Sequence, residues 1–550
     1  MKKLFFILFI SVLYPMHAQV SHGGSPLFLF QEDGNSGLKS SVCDESLFIE
    51  MPPFNLDSIL ADDKLNESNM RGAFNFAYKF HRLIKRGVDG HNFTLADGTK
   101  VWQVGIRSKE AYSINLFFSE YRIPRGGKLF LYNTDRSHIL GSFTHENNSE
   151  GNILPTAPIS GDEIIVEYSE PADVEFEGQL AITEINHDYR GVMDALAWHD
   201  CMPDVMCAIP DSAQVNSVVR LLVDGSYLCT GSLINNAGDT IAPYVLSAMH
   251  CLLKSDNLQQ YTIDYYRNRA KGVVAMFNYQ RPTCEASTNN NLSQSVAGTD
   301  LLCVVEKTDA LLLKLKETPP DSYNSYYAGW NIASAPTGPF FNIHHPSGYP
   351  KRYGRFESTS ISHGNWGEFF DSNIHWYIPG WTSGSTAGGS SGSPLFDKNG
   401  LIIGGLTGGA SVCNGTTPGM GSPPGDYFHA LYKSWVYSTV NDTLQLKHWL
   451  DPKNTGITSL RGRSSDGSSI EIIKKETTKI TYLPESRRII VSLEPNETGI
   501  VRIYSIHGAC IYQQAIEGYT TFEIEPQLQN RFGIISLFTP QKVENIKVVL

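Results

Sequence analysis

The sequence lacks an excess of positive charge, and beyond its first residues it lacks any long apolar run. Lys and Arg number 44 against 56 Asp and Glu, which gives a formal net charge of −12. Without a local basic patch, this balance argues against a nucleic-acid binder held by phosphate contacts. No later segment approaches the roughly 20 apolar residues that a membrane-spanning helix requires. Charged residues make up 18% and hydrophobic residues 41%, which argues against a largely disordered chain.

Glycine and aromatic residues are plentiful, and they favour β structure. The 550 residues include 48 Gly, 26 Tyr and 27 Phe. Such a composition is typical of turn-rich sheets rather than of helical bundles. At roughly 150 residues per domain, the length allows three or four domains.

The apolar run at the N-terminus has the pattern of a secretory signal peptide. Lys2 and Lys3 precede the apolar residues 4–14, and the small residue Ala18 follows. We therefore predict a signal peptide over residues 1–18, cleaved after Ala18. A buried N-terminal strand is the alternative.

The cysteines mark the middle of the chain. Export to an oxidising compartment would make the nine cysteines disulfide formers rather than metal ligands. Seven of them lie between Cys201 and Cys413, whereas Cys43 and Cys510 stand alone near the two ends. The central region is therefore predicted to be the disulfide-bearing domain.

Apolar and polar residues alternate, as in β-strands, on both sides of this central region. It predicts a β-sandwich over residues 72–185, within a segment, residues 19–190, that shows no catalytic pattern. Residues 191–460 are rich in glycine and hold the motifs considered next. The polar residues 461–469 indicate a linker. Short alternating strands after this linker predict a second, smaller β-sandwich.

Three central segments carry residues suited to nucleophilic catalysis, in the order His250, Asp309 and Ser391. A serine hydroxyl is a weak nucleophile near neutral pH and needs a base, for which histidine is suited. A buried carboxylate fixes the histidine tautomer and stabilises the imidazolium that forms. The glycines around Ser391 allow a sharp turn that aims the amides of Gly389 and Ser391 at an oxyanion. Singly, these segments could be a packed histidine, a turn aspartate and a flexible loop; together, their order and flanks favour a catalytic triad.

These segments resemble those of the chymotrypsin-fold serine proteases, and the likeness sharpens to the bacterial lysyl endopeptidases. That family's Gly-Ser-Ser-Gly-Ser-Pro stands here at residues 389–394, its Ala-Gly-Trp at residues 328–330 and its Ile-His-His-Pro at residues 343–346. The resemblance covers residues 201–456. It implies an all-β chain with a chymotrypsin-like double β-barrel. It also implies a secreted serine endopeptidase that cleaves protein or peptide substrates after Lys, without a cofactor or metal.

The resemblance also implies a disulfide pattern, which spacing alone does not give. Carried over from the family, the pairs are Cys201–Cys413, Cys207–Cys284 and Cys229–Cys251, the last of which would pin the loop of His250. Cys303 has no partner in this scheme. Its role is left open.

Substrate preference depends on where the pocket carries its charge. In trypsin-like enzymes an aspartate stands six residues before the nucleophile, and that position is Ser385 here. In lysyl endopeptidases the carboxylate comes from a later strand, and the aligned residue is Asp426, which we predict at the base of the pocket. The alternative is that Asp426 lies in a surface turn. In that family a histidine stacks on a tryptophan near the active site. Here Thr407 stands in place of the histidine, and Trp366 is the candidate for the tryptophan. The preference between Lys and Arg before the cut therefore stays open.

Other functions are compatible with some of these features. Glutamyl endopeptidases share the serine motif and read a carboxylate with His, Ser or Thr, so Thr407 keeps cleavage after Glu as an alternative. A catalytically inactive protease-fold adhesin is a second alternative, although it would not require a triad. A metal site at His344 and His345 is disfavoured, because adjacent strand residues point in opposite directions and no Glu or Cys stands at ligand spacing.

A β-sandwich between a signal peptide and a protease suggests that residues 19–190 form a pro-region; a permanent accessory domain is the alternative. In trypsin-like zymogens a new N-terminal amine pairs with an aspartate just before the nucleophile. That residue is Ser390 here, so activation by N-terminal insertion is not expected. We predict processing at the bond between Arg190 and Gly191.

The last 81 residues of the sequence, 470–550, resemble the sorting domains of the type IX secretion system of Gram-negative bacteria. The resemblance rests on their size, on their position after a linker and on the ending of the chain. It implies the outer-membrane secretion machinery as a partner and a secreted or cell-surface location. A carbohydrate- or protein-binding β module is the alternative. We expect a monomer that binds no nucleic acid.

Overall fold

The structure, a computed structural model, divides into two compact units, Met1–Ser469 and Ile470–Leu550. The predicted signal peptide, Cys43 and Cys413 lie outside the residues that it describes. The described residues are 23–27, 45–68, 73–193, 201–209, 212–253, 259–284, 286–288, 292–411, 425–437, 441–465, 479–483, 488–492, 498–505, 507–517, 520–523, 532–539 and 543–549.

The first part of the larger unit consists of strands and one helix. In chain order its elements are β1 Phe48–Glu50, α1 Leu56–Ser68, β2 Phe74–Asn75, β3 Ala77–Lys85, β4 His91–Thr94, β5 Lys100–Arg107, β6 Ser113–Arg122, β7 Lys128–Asn133, β8 Ile139–Phe143, β9 Leu154–Pro155, β10 Ile159–Ser160, β11 Glu163–Glu170 and β12 Gln179–Asp188.

Two sheets pack face to face here as a β-sandwich. One has the order β1-β5-β11-β7-β8, with β4 also paired to β5, and the other has the order β10-β6-β12-β3, with β9 paired to β6. Val104 and Val166 of the first sheet share an apolar core with Leu116 and Ile185 of the second. Strand β2 belongs to neither sheet, because it pairs with the central part of the chain.

The central part follows, again mostly in strands. Its elements are α2 Val205–Ala208, β13 Val218–Val223, β14 Tyr227–Leu233, β15 Tyr244–Ala248, α3 Ile263–Lys271, β16 Val273–Met276, β17 Ser295–Ala297, β18 Thr299–Val305, β19 Ala310–Leu315, β20 Tyr326–Tyr327, β21 Trp330–Asn331, β22 Phe340–His344, β23 Arg352–Phe356, β24 Ser362–Gly364, β25 His375–Ile378, β26 Pro394–Phe396, β27 Ile402–Gly409, β28 Asp426–Ala430, α4 Leu431–Ser434, α5 Leu446–Leu450, β29 Ser459–Leu460 and β30 Arg463–Ser464.

Two larger sheets organise this central part. The first has the order β17-β16-β13-β14-β15-β19-β18, and the second has the order β23-β22-β26-β27-β28-β25-β24. Strands β13 and β19 are short runs of apolar residues, and they are almost entirely buried, as expected for strands covered on both faces. Residues of both sheets, such as Leu312 and Ile343, share one apolar cluster. The two sheets therefore pack against each other within the part of the chain that carries the catalytic motifs.

The smaller unit contains only strands among its described residues. They are β31 Lys479–Leu483, β32 Arg488–Ser492, β33 Thr498–Ser505, β34 Cys510–Glu517, β35 Thr520–Glu523, β36 Phe532–Phe538 and β37 Val543–Val549. They form a three-stranded sheet, β31-β32-β35, and a four-stranded sheet, β34-β33-β36-β37.

The predicted all-β, chymotrypsin-like fold class is confirmed by this architecture. Helices are few among the described residues, the longest having 13 residues, and two sheets organise the part of the chain that carries the catalytic motifs. In the described part of the chain, no helix combines the length and the apolar character needed to cross a bilayer.

Candidate active site

His250 and Asp309 lie in hydrogen-bond contact at the end of the first central sheet. His250 sits in a single 3₁₀ turn, Met249–Leu252, directly after β15. Its Nδ1 lies 2.9 Å from Asp309 Oδ2, and its backbone amide donates to Asp309 Oδ1 over 3.0 Å. Met249 N also donates to the Asp309 carbonyl oxygen over 2.8 Å. The turn and the carboxylate therefore hold each other in place.

Asp309 presents its carboxylate from an unusual backbone conformation. Its φ is 65°, in the left-handed region, at the end of the turn Glu306–Thr308 and just before β19. Aspartate tolerates this region better than most residues do. The side chain has no solvent exposure. A buried carboxylate beside an imidazole Nδ1 is the arrangement that orients a histidine base.

Ser391 is fixed beside the His250 turn through β14 of the first sheet. Thr230 of β14 donates its amide to the Ser391 carbonyl oxygen over 2.8 Å. Gly392 has a φ of +80°, and a Cβ there would lie 2.1 Å from Ser247 Oγ and 2.9 Å from the amide of Ala248. Only a glycine at position 392 allows the loop of Ser391 to come this close to β15, the strand that leads to His250.

The two predicted oxyanion donors lie on the same loop. Gly389 has a φ of +87°, and its carbonyl oxygen accepts from Thr230 Oγ1 over 2.9 Å. Neither the Gly389 amide nor the Ser391 amide donates to another of the described residues. An oxyanion hole requires donors that are not already bonded within the protein.

A buried histidine holds the residue between these two amides. His344 Nδ1 lies 2.7 Å from Ser390 Oγ, and both residues have no solvent exposure. Burial lowers the pKa of His344 to about 3, so the ring is neutral at ordinary pH. Ser390 Oγ also accepts from the amide of Ala387 over 3.2 Å. This contact of His344 was not expected from the sequence. The Nδ1 of its neighbour His345 lies 3.0 Å from the Tyr349 carbonyl oxygen.

Asp426 begins β28 and is completely buried. Its Oδ2 accepts three hydrogen bonds from neutral donors, whereas Oδ1 has one longer contact, 3.4 Å from the amide of Ser411. No Lys or Arg among the described residues forms an ion pair with it, and burial raises its pKa. The three donors to Oδ2 are Trp381 Nε1 at 2.6 Å, Ser411 Oγ at 2.8 Å and Thr386 Oγ1 at 2.9 Å.

Ser385, at the position that trypsin-like enzymes fill with aspartate, contacts one of these donors: its Oγ is 3.3 Å from Ser411 Oγ. The predicted pocket residues Trp366 and Thr407 have other neighbours. A Cβ on Gly408 would lie 2.8 Å from Trp366 Nε1, and the Trp366 ring packs on Tyr427 with centroids 5.2 Å apart. The Thr407 hydroxyl is buried and has no hydrogen-bond partner among the described residues.

Two of the three expected disulfides are present. Cys229–Cys251 links β14 to the His250 turn, and Cys207–Cys284 closes a second loop. Cys201–Cys413 cannot be compared, because Cys413 lies outside the described residues. Cys303 is a buried thiol and Cys510 an exposed one. Burial raises the pKa of Cys303, so it is a protonated core residue.

Comparison with known proteins finds sequence matches that include the central part of this chain. Residues 197–429 match the family model described as lysyl endopeptidase, C-terminal domain. A lysyl endopeptidase of Pseudomonas aeruginosa is 29% identical over 307 residues, which are 52% of this chain and 61% of that protein. The chain thus spans less than two thirds of the length of this relative.

Among solved structures, a Glu endopeptidase is 20% identical and matches 43% of this chain and 95% of its own, with a TM-score of 0.25. Kallikrein-related peptidase 10 is 14% identical and matches 40% of this chain and 92% of its own, with a TM-score of 0.26. The sequence matches show that the central part of this chain is similar to the lysyl endopeptidases.

Proposed function

We propose that the protein is a secreted serine endopeptidase that cleaves after Lys, and also after Arg, through an acyl-enzyme. The observation that carries the proposal is the joint presence of the His250–Asp309 pair beside Ser391 and of a buried Asp426 that lacks a described cationic partner. The first supplies the chemistry of acyl transfer, and the second supplies a reason to bind a cationic side chain.

In this mechanism His250 takes the proton of Ser391 Oγ as the hydroxyl attacks the substrate carbonyl carbon. Asp309 keeps Nδ1 protonated, so that Nε2 is the basic nitrogen, and it stabilises the imidazolium that forms. The Gly389 and Ser391 amides donate to the oxyanion. His250 then gives the proton to the leaving amine, and water hydrolyses the acyl-enzyme by the same steps.

Asp426 sets the preference for a cation. An ionised carboxylate without a partner is unfavourable in a buried site, and a substrate ammonium or guanidinium group would relieve that cost. The same charge opposes cleavage after Glu, although the unpartnered Thr407 hydroxyl is of the type that reads a carboxylate. Cleavage after a basic residue is therefore the preference that the site supports best.

The loop of Ser391 is held from within the folded chain. Where trypsin-like enzymes use an ion pair to a new N-terminal amine, this chain has the bond between His344 and Ser390. This fits an enzyme that needs no N-terminal insertion. We include in the proposal a signal peptide over residues 1–18, a pro-region over residues 19–190, processing at Arg190–Gly191, and type IX export guided by residues 470–550.

The test is digestion of a mixed-peptide library by the processed protein freed of its N-terminal part, with Ser391→Ala as the matched control. Mass spectrometry identifies the residue before each cut. Cuts after Lys or Arg that are absent from the control are expected. Cuts after Glu would overturn the specificity. A complete absence of cuts by a correctly disulfide-bonded protein would favour a binding protein of protease fold.

A further inference from the structure

One edge of β14 meets three partners in succession, and the middle one is the nucleophile loop. The first two residues of β14 pair antiparallel with β2. Two residues later, the Thr230 amide donates to the Ser391 carbonyl oxygen, and the end of β14 then pairs with β15. Strand residues advance by about 3.3 Å each, and residues two apart aim their amides at the same edge. Strand β2 therefore lies directly beside the loop of Ser391.

A side chain of β2 also contacts this loop. Phe74 is 7% exposed, and a Cβ on Gly388 would lie 2.8 Å from Phe74 Cδ2. The Arg190 guanidinium covers the other part of the ring, with its Cζ 4.6 Å from the centroid. Gly388 stands three residues before Ser391 and next to Gly389. An aromatic ring from the N-terminal sandwich region thus closes one side of the candidate active site.

The N-terminal part is anchored around the same place, the turn between β13 and β14. The apolar core of the sandwich continues into the first central sheet through Leu222, Leu228, Val274 and Met276. Three polar contacts join the two parts at this turn: Phe76 N to Ser226 O at 2.9 Å, Asn115 Nδ2 to Gly225 O at 2.8 Å, and Lys79 Nζ to Asp224 Oδ2 at 3.1 Å.

We propose that residues 73–76 form an inhibitory strap, in which the N-terminal part occupies the leaving-group side of the active site as an antiparallel strand. A peptide whose carbonyl carbon reaches Ser391 must continue along the adjacent edge of β14, and strand addition to an open edge is a common way to bind extended peptides. The strap fills that edge. The inference rests on the proposed endopeptidase function, and it makes the uncut chain inactive towards extended substrates.

The predicted processing site meets the strap through Arg190, whose guanidinium lies over the Phe74 ring. The pairing of the strap with β14 and the contacts of Lys79 and Asn115 are separate from the bond between Arg190 and Gly191. A strap within the same chain, or one that remains docked after a cut, acts at a high effective concentration. A cut at this bond therefore leaves the edge of β14 covered until the N-terminal part is displaced or degraded.

The test compares full-length wild type with Phe74→Ala and with Leu83→Ala, a smaller apolar truncation at an exposed position of β3. The probe is an internally quenched peptide with Lys before the cut and four residues on either side. Initial rates are measured on chains whose intact mass is verified before and after. Hydrogen exchange of the peptide that contains Leu228 reports on the strap itself. Phe74→Leu, which removes the ring beside Gly388 but keeps an apolar side chain, is the second variant if Phe74→Ala does not fold.

We expect Phe74→Ala to cleave at least tenfold faster than wild type, with faster exchange at Leu228, and Leu83→Ala to match wild type in both. Equal cleavage rates for all intact chains, or faster exchange without faster cleavage, would overturn the strap. In that case, cleavage by a chain freed of its N-terminal part would still support the proposed endopeptidase function. If no chain cleaves, including one freed of its N-terminal part, the proposed function fails and the inference fails with it.

Discussion

Asp309 and Asp426 are two fully buried carboxylates in one domain, and they differ in what surrounds them. Asp309 lies against the imidazole and the backbone amide of His250. Asp426 accepts hydrogen bonds from an indole and two hydroxyl groups, and no described cation neutralises it. The first carboxylate has its basic partner built into the fold. The second lacks one.

The difference assigns different roles to residues of the same type. Taking an ionised carboxylate out of water costs several kcal/mol unless a partner compensates. For Asp309 the compensation is internal, which suits a group that orients a base. For Asp426 burial raises the pKa, and the compensation has to come with the substrate. We therefore propose that the pocket selects a cation, because its carboxylate has no charged partner among the described residues.

The largest expected effect lies on the Asp309 side. Asp309→Asn keeps the shape but favours the wrong tautomer of His250, and we expect kcat to fall by about 10⁴-fold, with KM little changed. Steady-state kinetics on a Lys peptide measures this, and Ser391→Ala sets the floor. A loss below tenfold would remove Asp309 from the mechanism and erase the contrast with Asp426.

Asp426→Asn comes next. Without the carboxylate, the lysine ammonium group enters a buried site that holds no opposite charge, and we expect kcat/KM for Lys peptides to fall by roughly 10²–10³-fold. Peptides with an uncharged residue before the cut should lose far less. Equal losses for charged and uncharged substrates would mean that Asp426 supports the fold rather than the specificity.

A smaller effect is expected from the neutral donors to Asp426. Trp381→Phe removes the 2.6 Å hydrogen bond to Oδ2 while retaining an aromatic ring. We expect a loss of about tenfold or more in kcat/KM for Lys peptides, the size of one hydrogen bond to a charged group. Trp376→Phe is the control, because that indole donates to the Ile403 carbonyl oxygen instead. The two variants behaving alike would count against the orienting role of Trp381.

The smallest effect is on folding stability: Asp426→Asn should stabilise the protein although it lowers the activity. The raised pKa of Asp426 means that the folded state holds this proton more tightly than the unfolded state, so stability from this group is lost as pH rises through the folded pKa. Asp426→Asn should therefore be more stable than wild type at pH 7, by about 1 kcal/mol, and the difference should vanish in acid. Urea unfolding at several pH values measures it. A variant that is less stable at pH 7 would contradict an uncompensated charge.

Sequence reasoning reached the residues whose neighbours along the chain are informative. His250, Asp309 and Ser391 each have flanking residues that suggest a role, and the structure brings the first two into hydrogen-bond contact. Asp426 was reached only through the alignment with lysyl endopeptidases. The two parts of the prediction therefore rest on different kinds of information.

What the sequence could not provide are contacts between distant segments. Asp426 is met by Trp381 and Thr386 from the connection between β25 and β26 and by Ser411 from the residues after β27, with no periodic pattern that would relate them. The pairing of Phe74 with Leu228 joins a two-residue strand to a partner far along the chain. A strand that short shows no alternation, so only the folded chain reveals it.

The most direct test of the contrast between the two carboxylates is kcat/KM for two matched peptides, one with Lys and one with acetyl-lysine before the cut. Both are measured with the processed protein and with Asp426→Asn. We predict that the wild-type protein prefers Lys by at least 100-fold and that the variant loses this preference while still cleaving acetyl-lysine. Equal cleavage of both peptides by wild type would contradict the role of Asp426 as the partner of a substrate cation.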